Sequence, residues 1–340
     1  MAADPTSARE IRASRPRPDG DAARIAYLEL LKLSLCDLIG AGTESVYRTF
    51  EEEPRIYSRP LPADELSYRV SGRDWPLHGL TMVGLQRLDD LQACVESVVT
   101  DSVEGDLIEA GTWRGGAAIL IRATLDSLGA DERTVVLADS FDGFPAPDHD
   151  TFPEDRAADD LSPFGFLAAP VDEVRGHFAR LGLERGVEFV PGFFTETMPG
   201  LRGRGWSLIR LDGDTYESTS QALECLYPGL AAGGYLIVDD YHFVGECRRA
   251  VDDFRARHGI TEPLEQVDWS CMRWRRESEE SPVDDSPPHP PQSGDGEPRR
   301  APAREATPIP TLREVELERE IEALRKRLRE AEAQIEAGNR

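Results

Sequence analysis

Residues 207–214, SLIRLDGD, and 235–241, YLIVDDY, decide how this chain is read. Each is a short apolar run that closes on aspartate: Asp212 in the first, Asp239 and Asp240 in the second. A short apolar run without alternation reads as a strand buried on both faces, which belongs in a parallel sheet. Such a sheet delivers its site residues at the carboxyl ends of its strands. Three carboxylates converging on one edge repel one another unless a cation joins them, and hard oxygen donors suit Mg²⁺. A lone strand-end aspartate is more often a helix cap or turn former, and an Asp-Asp pair is often surface charge. Here both acidic groups follow their apolar runs directly, on strands expected to be neighbours, which favours a metal site. Asp214 competes as ligand or base.

Outward from these runs, the chain after Gly105 alternates strand and helix. DLIEAG (106–111), TVVLADS (134–140) and VEFVPG (187–192) read as strands, and 112–128, 171–182, 218–230 and 246–259 as helices. Short connections between them imply an α/β fold, a doubly wound, mostly parallel sheet with helices on both faces. The last two strands, within 263–276, have no crossover helix and should form an antiparallel hairpin. Upstream, 23–39 and TMVGLQRLDDLQACVESVV (81–99) have helical apolar spacing, the latter with Met82, Leu85, Leu88 and Leu91 on one face. The Pro-rich PRIYSRPLPADE (54–65) reads as a mobile loop.

The first strand–helix turn, IEAGTWRGG (108–116), is where such a sheet opens to ligands. A dinucleotide would call for G-x-G-x-x-G, and Trp113 stands where its second glycine belongs. Glu109 would repel a pyrophosphate but suits a cationic ligand. S-adenosyl-L-methionine, with a sulfonium, an ammonium and no phosphate, fits. Gly111 would let the backbone approach that ligand, and Asp139, at the end of the second strand, would accept from ribose hydroxyls. A sulfonium methyl is already activated, so the task is to prepare an acceptor. Mg²⁺ would lower a hydroxyl's pKa, and Asp212 would take the proton, with His242 or His149 as weaker candidates. Asp239→Asn should then sharply weaken turnover with little effect on folding.

Lys+Arg 39 against Asp+Glu 64 gives a net charge of -25, which excludes nucleic acid and anionic membrane as partners. The five cysteines have no C-x-x-C spacing and read as reduced thiols of a cytoplasmic protein. No signal peptide or membrane-spanning run is evident. By composition, 1–22 is a disordered arm, 23–276 the folded domain, and 277–310 a disordered acidic Pro/Ser-rich linker. Over 311–338, Leu317, Ile321, Leu324, Leu328, Ala331 and Ile335 form a heptad seam, a short coiled-coil helix for self-association or a protein partner.

The segments TMVGLQRLDDL (81–91), IEAGTWRGGA (108–117), ADSFDGFP (138–145), VPGFFTETMP (190–199), IRLDGDTYEST (209–219), GGYLIVDDY (233–241) and VDW (267–269) occur in an order that resembles the macrocin O-methyltransferase family. These are Mg²⁺- and S-adenosylmethionine-dependent enzymes that methylate sugar hydroxyls of natural products, and the resemblance covers about 25–276. It implies a seven-stranded class I methyltransferase (Rossmann-like) fold, metal ligands Asp212, Asp239 and Asp240, and Asp212 doubling as catalytic base. It also implies cofactor contacts at Thr81, Met82, Glu109, Ala110, Gly111, Thr112, Trp113, Asp139 and Ser140. A sugar-bearing small molecule is the implied substrate. Catechol-type relatives carry a catalytic lysine three residues after the first metal aspartate; Thr215 stands there, so a lysine base is not supported. The loop 144–170 is expected to close over substrate and deliver His149, and the segment 44–57 to add acceptor contacts. Two alternatives are a nicotinamide-dependent oxidoreductase on the same fold class and a catalytically degenerate scaffold acting through its coiled coil.

Overall fold

The computed structural model describes residues 20–40, 42–49, 55–157 and 160–278. Nearly all of the expected N-terminal arm, the linker beyond Ser278 and the coiled-coil helix lie outside the described residues. The chain enters through helix α1 (Asp21–Leu35), strands β1 (Glu44–Arg48) and β2 (Ile56–Pro60), helix α2 (Leu66–Val70), strand β3 (Trp75–Pro76) and helix α3 (Gly84–Thr100). It then alternates as β4 (Asp106–Ala110), α4 (Gly116–Leu128), β5 (Val135–Asp139), α5 (Val171–Leu181) and β6 (Val187–Pro191). After the short α6 (Phe194–Thr197) come β7 (Trp206–Leu211), α7 (Tyr216–Leu226), β8 (Leu230–Val238), α8 (Gly245–Arg257), β9 (Glu265–Gln266) and β10 (Met272–Arg275).

The seven-stranded sheet runs β6-β5-β4-β7-β8-β10-β9, with the first five strands parallel and β10 antiparallel to both β8 and β9. The closing hairpin is therefore present, with its second strand tucked inside the first. This is the class I methyltransferase fold. From β4 the chain winds outward through β5 and β6, then returns to β7 and winds the other way. The crevice of a doubly wound sheet opens at that switch point, here the carboxyl ends of β4 and β7.

Successive residues of the buried strands feed opposite faces, which is why they read as unbroken apolar runs. Leu107, Leu137 and Leu208 pack with α1, α3, α4 and α5, whereas Ile108, Val136 and Ile209 pack with α7 and α8 around Trp206, Phe254 and Trp274. No helix of the described residues is long and apolar enough to cross a membrane.

Two expectations are corrected. The Pro-rich 54–65 stretch is not merely a loop: β2 pairs antiparallel with β1, whose other edge pairs with β3, and Pro60 closes β2. Met82 is not on a helix face, because α3 starts at Gly84, and Met82 instead lines the cleft described next.

Candidate active site

A cleft of about 2160 Å³ opens at the switch point. That exceeds the ~300–1,000 Å³ typical of a single small-molecule pocket, so it has room for a cofactor and an acceptor together. Thr81, Met82, Glu109, Gly111, Thr112, Trp113, Asp139, Ser140, Asp212, Asp239 and Asp240 all line it.

On one side of the cleft the turn after β4 is built from within. Gly111 has φ 87°, and a Cβ there would meet the Asp212 carbonyl oxygen at 1.9 Å. The glycine is required by the close approach of two strand ends rather than by a ligand, as the sequence had suggested. A Cβ on Gly116 would meet the Leu80 carbonyl at 2.5 Å, and its own N–H donates to that carbonyl at 2.9 Å. This contact carries Thr81 and Met82 to the turn after β4, which no spacing rule could have revealed. Asp139 gathers the loop around itself: Oδ2 accepts from the amides of Thr112 (2.6 Å) and Trp113 (3.1 Å), and Oδ1 from Phe141 (2.7 Å). Trp113 takes a positive φ of 45°, donates its indole N–H to the Phe166 carbonyl at 3.1 Å, and meets the Phe166 ring edge-on at 5.4 Å.

Across the cleft, one ligand oxygen from each of Asp212, Asp239 and Asp240 falls within 4.8 Å of the others. Asp239 and Asp240 are 3% and 8% exposed, and Asp240 Oδ2 is buried with no hydrogen-bond partner. An unpaired buried carboxylate oxygen is costly, and here it belongs to a cluster of hard donors. These features fit a divalent cation. Burial, then Asp214, Asp212 and Asp239, raise the Asp240 carboxyl well above its usual range, and burial with Asp239 raises Asp212. Asp214 also lines the cleft, in left-handed backbone (φ 56°), and burial followed by Asp212 and Asp239 pushes it up to about 7.

Two arginines that the sequence reading passed over hold this acidic edge together. Arg210, 2% exposed, reaches Glu109 Oε1 at 2.6 Å, Asp212 Oδ2 at 2.9 Å and Asp239 Oδ1 at 2.5 Å. Arg87 of α3 takes the other oxygen of Asp239, pairs through Nε with Asp268 at 3.0 Å and donates to the Gly72 carbonyl. Burial works against the charge of Arg210, but Asp239, Asp212 and Glu109 together raise its pKa well above normal. The available signal was the arginine inside LIRL, since a charge in a strand buried on both faces needs a partner. Glu109 is correspondingly not a free charge in the turn. It is the last but one residue of β4, 2% exposed, with burial pushing it up to about 8 despite Arg210.

Neither histidine reaches the chemistry. His149 is exposed, and its carbonyl accepts from Arg156. His242 is exposed, with Nε2 3.1 Å from Met272 Sδ and its ring edge-on to Tyr241. The 144–170 loop is instead fastened by Asp155, whose carboxylate accepts from the amides of Tyr216 (2.7 Å) and Glu217 (3.1 Å) at the start of α7.

The fold is that of class I methyltransferases, and its cleft pairs the turn after β4 with an acidic edge. The chain belongs to the macrocin O-methyltransferase family, whose model matches residues 26–276. It is an S-adenosylmethionine-dependent O-methyltransferase, which sets aside the nicotinamide alternative. Among curated relatives, it is 45% identical over 254 residues (74% of this chain, 93% of the relative) to 8-demethyl-8-(2,3-dimethoxy-alpha-L-rhamnosyl)-tetracenomycin-C 4'-O-methyltransferase of Streptomyces olivaceus. It is 38% identical over 254 residues (74% and 96%) to mycinamicin III 3''-O-methyltransferase of Micromonospora griseorubida. The solved structure of the O-methyltransferase NovP is similar at 36% identity and TM-score 0.67, over 75% of this chain and 100% of that one.

Proposed function

We propose that this enzyme methylates a hydroxyl on the sugar of a glycosylated natural product, as in antibiotic biosynthesis, and that it does so with Mg²⁺, acting in the cytoplasm. The observation that carries the cation is the Asp212–Asp239–Asp240 cluster with its unpartnered Asp240 oxygen. The substrate class is supported by the relative named for a rhamnosyl-bearing substrate. When bound, S-adenosylmethionine supplies an activated methyl, and a cation held by Asp212, Asp239 and Asp240 acidifies an acceptor hydroxyl. The chain's own residues do the remainder. Thr81, Met82, Glu109, Gly111, Thr112, Trp113, Asp139 and Ser140 form the cofactor wall, with Ala110 behind it in the core rather than on the cleft, and fixing both reactants in line contributes much of the acceleration. Trp113 and Phe166, held in contact, shield that wall from water.

Asp212 is the first candidate to receive the hydroxyl proton. A second reading has a specific observation behind it: Asp212 Oδ2 already accepts from Arg210, whereas Asp214 lines the cleft with no arginine paired to it among the described residues. A carboxylate near neutral pKa is the better base. Asp212→Asn should lose cation affinity and turnover on either reading, so Asp214→Asn separates them: turnover lost with cation affinity kept makes Asp214 the base, and turnover kept leaves the proton to Asp212. The overall reading is tested by incubating the enzyme with labelled cofactor and a panel of sugar-bearing metabolites. Label transfer that EDTA stops and Mg²⁺ restores is expected; transfer indifferent to EDTA would remove the cation, and methylation only of sugar-free acceptors would remove the substrate class.

A further inference from the structure

One guanidinium is shared by the two halves of the cleft. Arg210 and Glu109 are register partners on neighbouring strands β7 and β4, and Nη1 of Arg210 donates to Glu109 Oε1 at 2.6 Å. The same Nη1 donates to Asp212 Oδ2 at 2.9 Å, and Nη2 donates to Asp239 Oδ1 at 2.5 Å. Glu109 stands on the cofactor wall; Asp212 and Asp239 belong to the cation cluster. Arg210 and Glu109 are each 2% exposed, so no solvent intervenes. Guanidinium donors leave the group in one rigid plane. A shift of the carboxylate on one side therefore turns the fork presented to the carboxylates on the other. Arg87 is placed differently: its partners are Asp239, Asp268 and the Gly72 carbonyl, and Glu109 is not among them. Glu109 also lines the cleft.

We infer that Arg210 is a positioning residue that couples the two ligand sites, so that cofactor binding beside Glu109 and cation binding at Asp212, Asp239 and Asp240 each tighten the other. The inference rests on the cation reading under Proposed function. Its sign follows from ordering: whichever ligand arrives first fixes the shared fork, and the second meets carboxylates already set. Linkage requires the same factor in both directions.

Calorimetry on the full chain, stripped with chelator, tests this without any acceptor or turnover. S-adenosylmethionine is titrated with and without Mg²⁺, and Mg²⁺ with and without S-adenosylmethionine. Wild type should show a reciprocal tightening of about fivefold or more. Arg210→Lys, which keeps the charge but not the planar fork, should bring it below about twofold while both ligands still bind. Should that variant fail a thermal-unfolding check, Glu109→Gln, which keeps an acceptor oxygen for Arg210 but not the charge and leaves the cation cluster intact, carries the comparison, read as a smaller ratio of affinities with and without the other ligand whatever it does to cofactor affinity itself. Independent binding in wild type, or undiminished coupling in a folded variant, would overturn the inference alone. Absence of saturable Mg²⁺ binding in wild type would overturn it together with the cation reading.

Discussion

Asp239 and Asp240 are neighbours in sequence with opposite electrostatic situations. Both oxygens of Asp239 are held by buried guanidiniums, one from Arg210 and one from Arg87. Removing its charge leaves those cations under-compensated, and breaking a buried pair costs about 3–5 kcal/mol. Asp239→Asn should therefore destabilise the protein, contrary to the expectation from sequence, and thermal unfolding in chelator measures it. Asp240 is the better probe. Its Oδ2 has no partner, so Asp240→Asn should leave the cation-free protein as stable or raise stability by about 1–3 kcal/mol, the usual penalty of an unsatisfied buried group. The same substitution should abolish Mg²⁺ binding. For Asp214, pushed up to about 7 by burial and its acidic neighbours, the sign of a pH effect is fixed by its role. A base must be ionised to accept a proton, so kcat/KM should fall on the acid side, with the limb at or below about 7 because a bound cation would favour the carboxylate. On the reading that makes Asp214 the base, Asp214→Asn should remove that limb along with most of the rate, and a limb that survives the substitution returns the role to Asp212, as a pH–rate profile would record.

At the scale of elements, the apolar runs ending in aspartate carried the fold, because strands packed on both faces leave an unmistakable pattern. The acidic cluster was legible for the same reason: strand ends bring Asp212, Asp239 and Asp240 to one edge whatever the loops do. Arg210 was not, since its meaning depends on Glu109 facing it across the β4–β7 register, a pairing that only the folded sheet creates. Met82 was misread because helical spacing continued past the true start of α3 at Gly84. The 144–170 loop was expected to deliver His149, but what fixes it is Asp155, 4% exposed and bonded to two amides of α7. Asp155→Ala removes that latch. It should lower stability by about 0.5–2 kcal/mol, in the range of a lost helix cap, and raise the acceptor KM more than it lowers kcat. Asp155→Asn, which keeps an acceptor oxygen, should restore most of both.

The whole chain carries a family match over 26–276 and a further acidic, Pro-rich and heptad-bearing stretch beyond it. We expect a chain ending at residue 278 to bind cofactor and transfer methyl groups within about twofold of full length, since every residue of the site described lies before that point. Lost turnover with intact cofactor binding would instead tie function to the C-terminal helix expected over 311–338. The mechanism depends on the acidic edge holding a cation. The most direct measurement is equilibrium Mg²⁺ binding to chelator-stripped enzyme, wild type beside Asp240→Asn, followed by calorimetry. One saturable site in wild type that disappears in the folded variant is the predicted result; no site in wild type, or an equal site in both, would contradict the account.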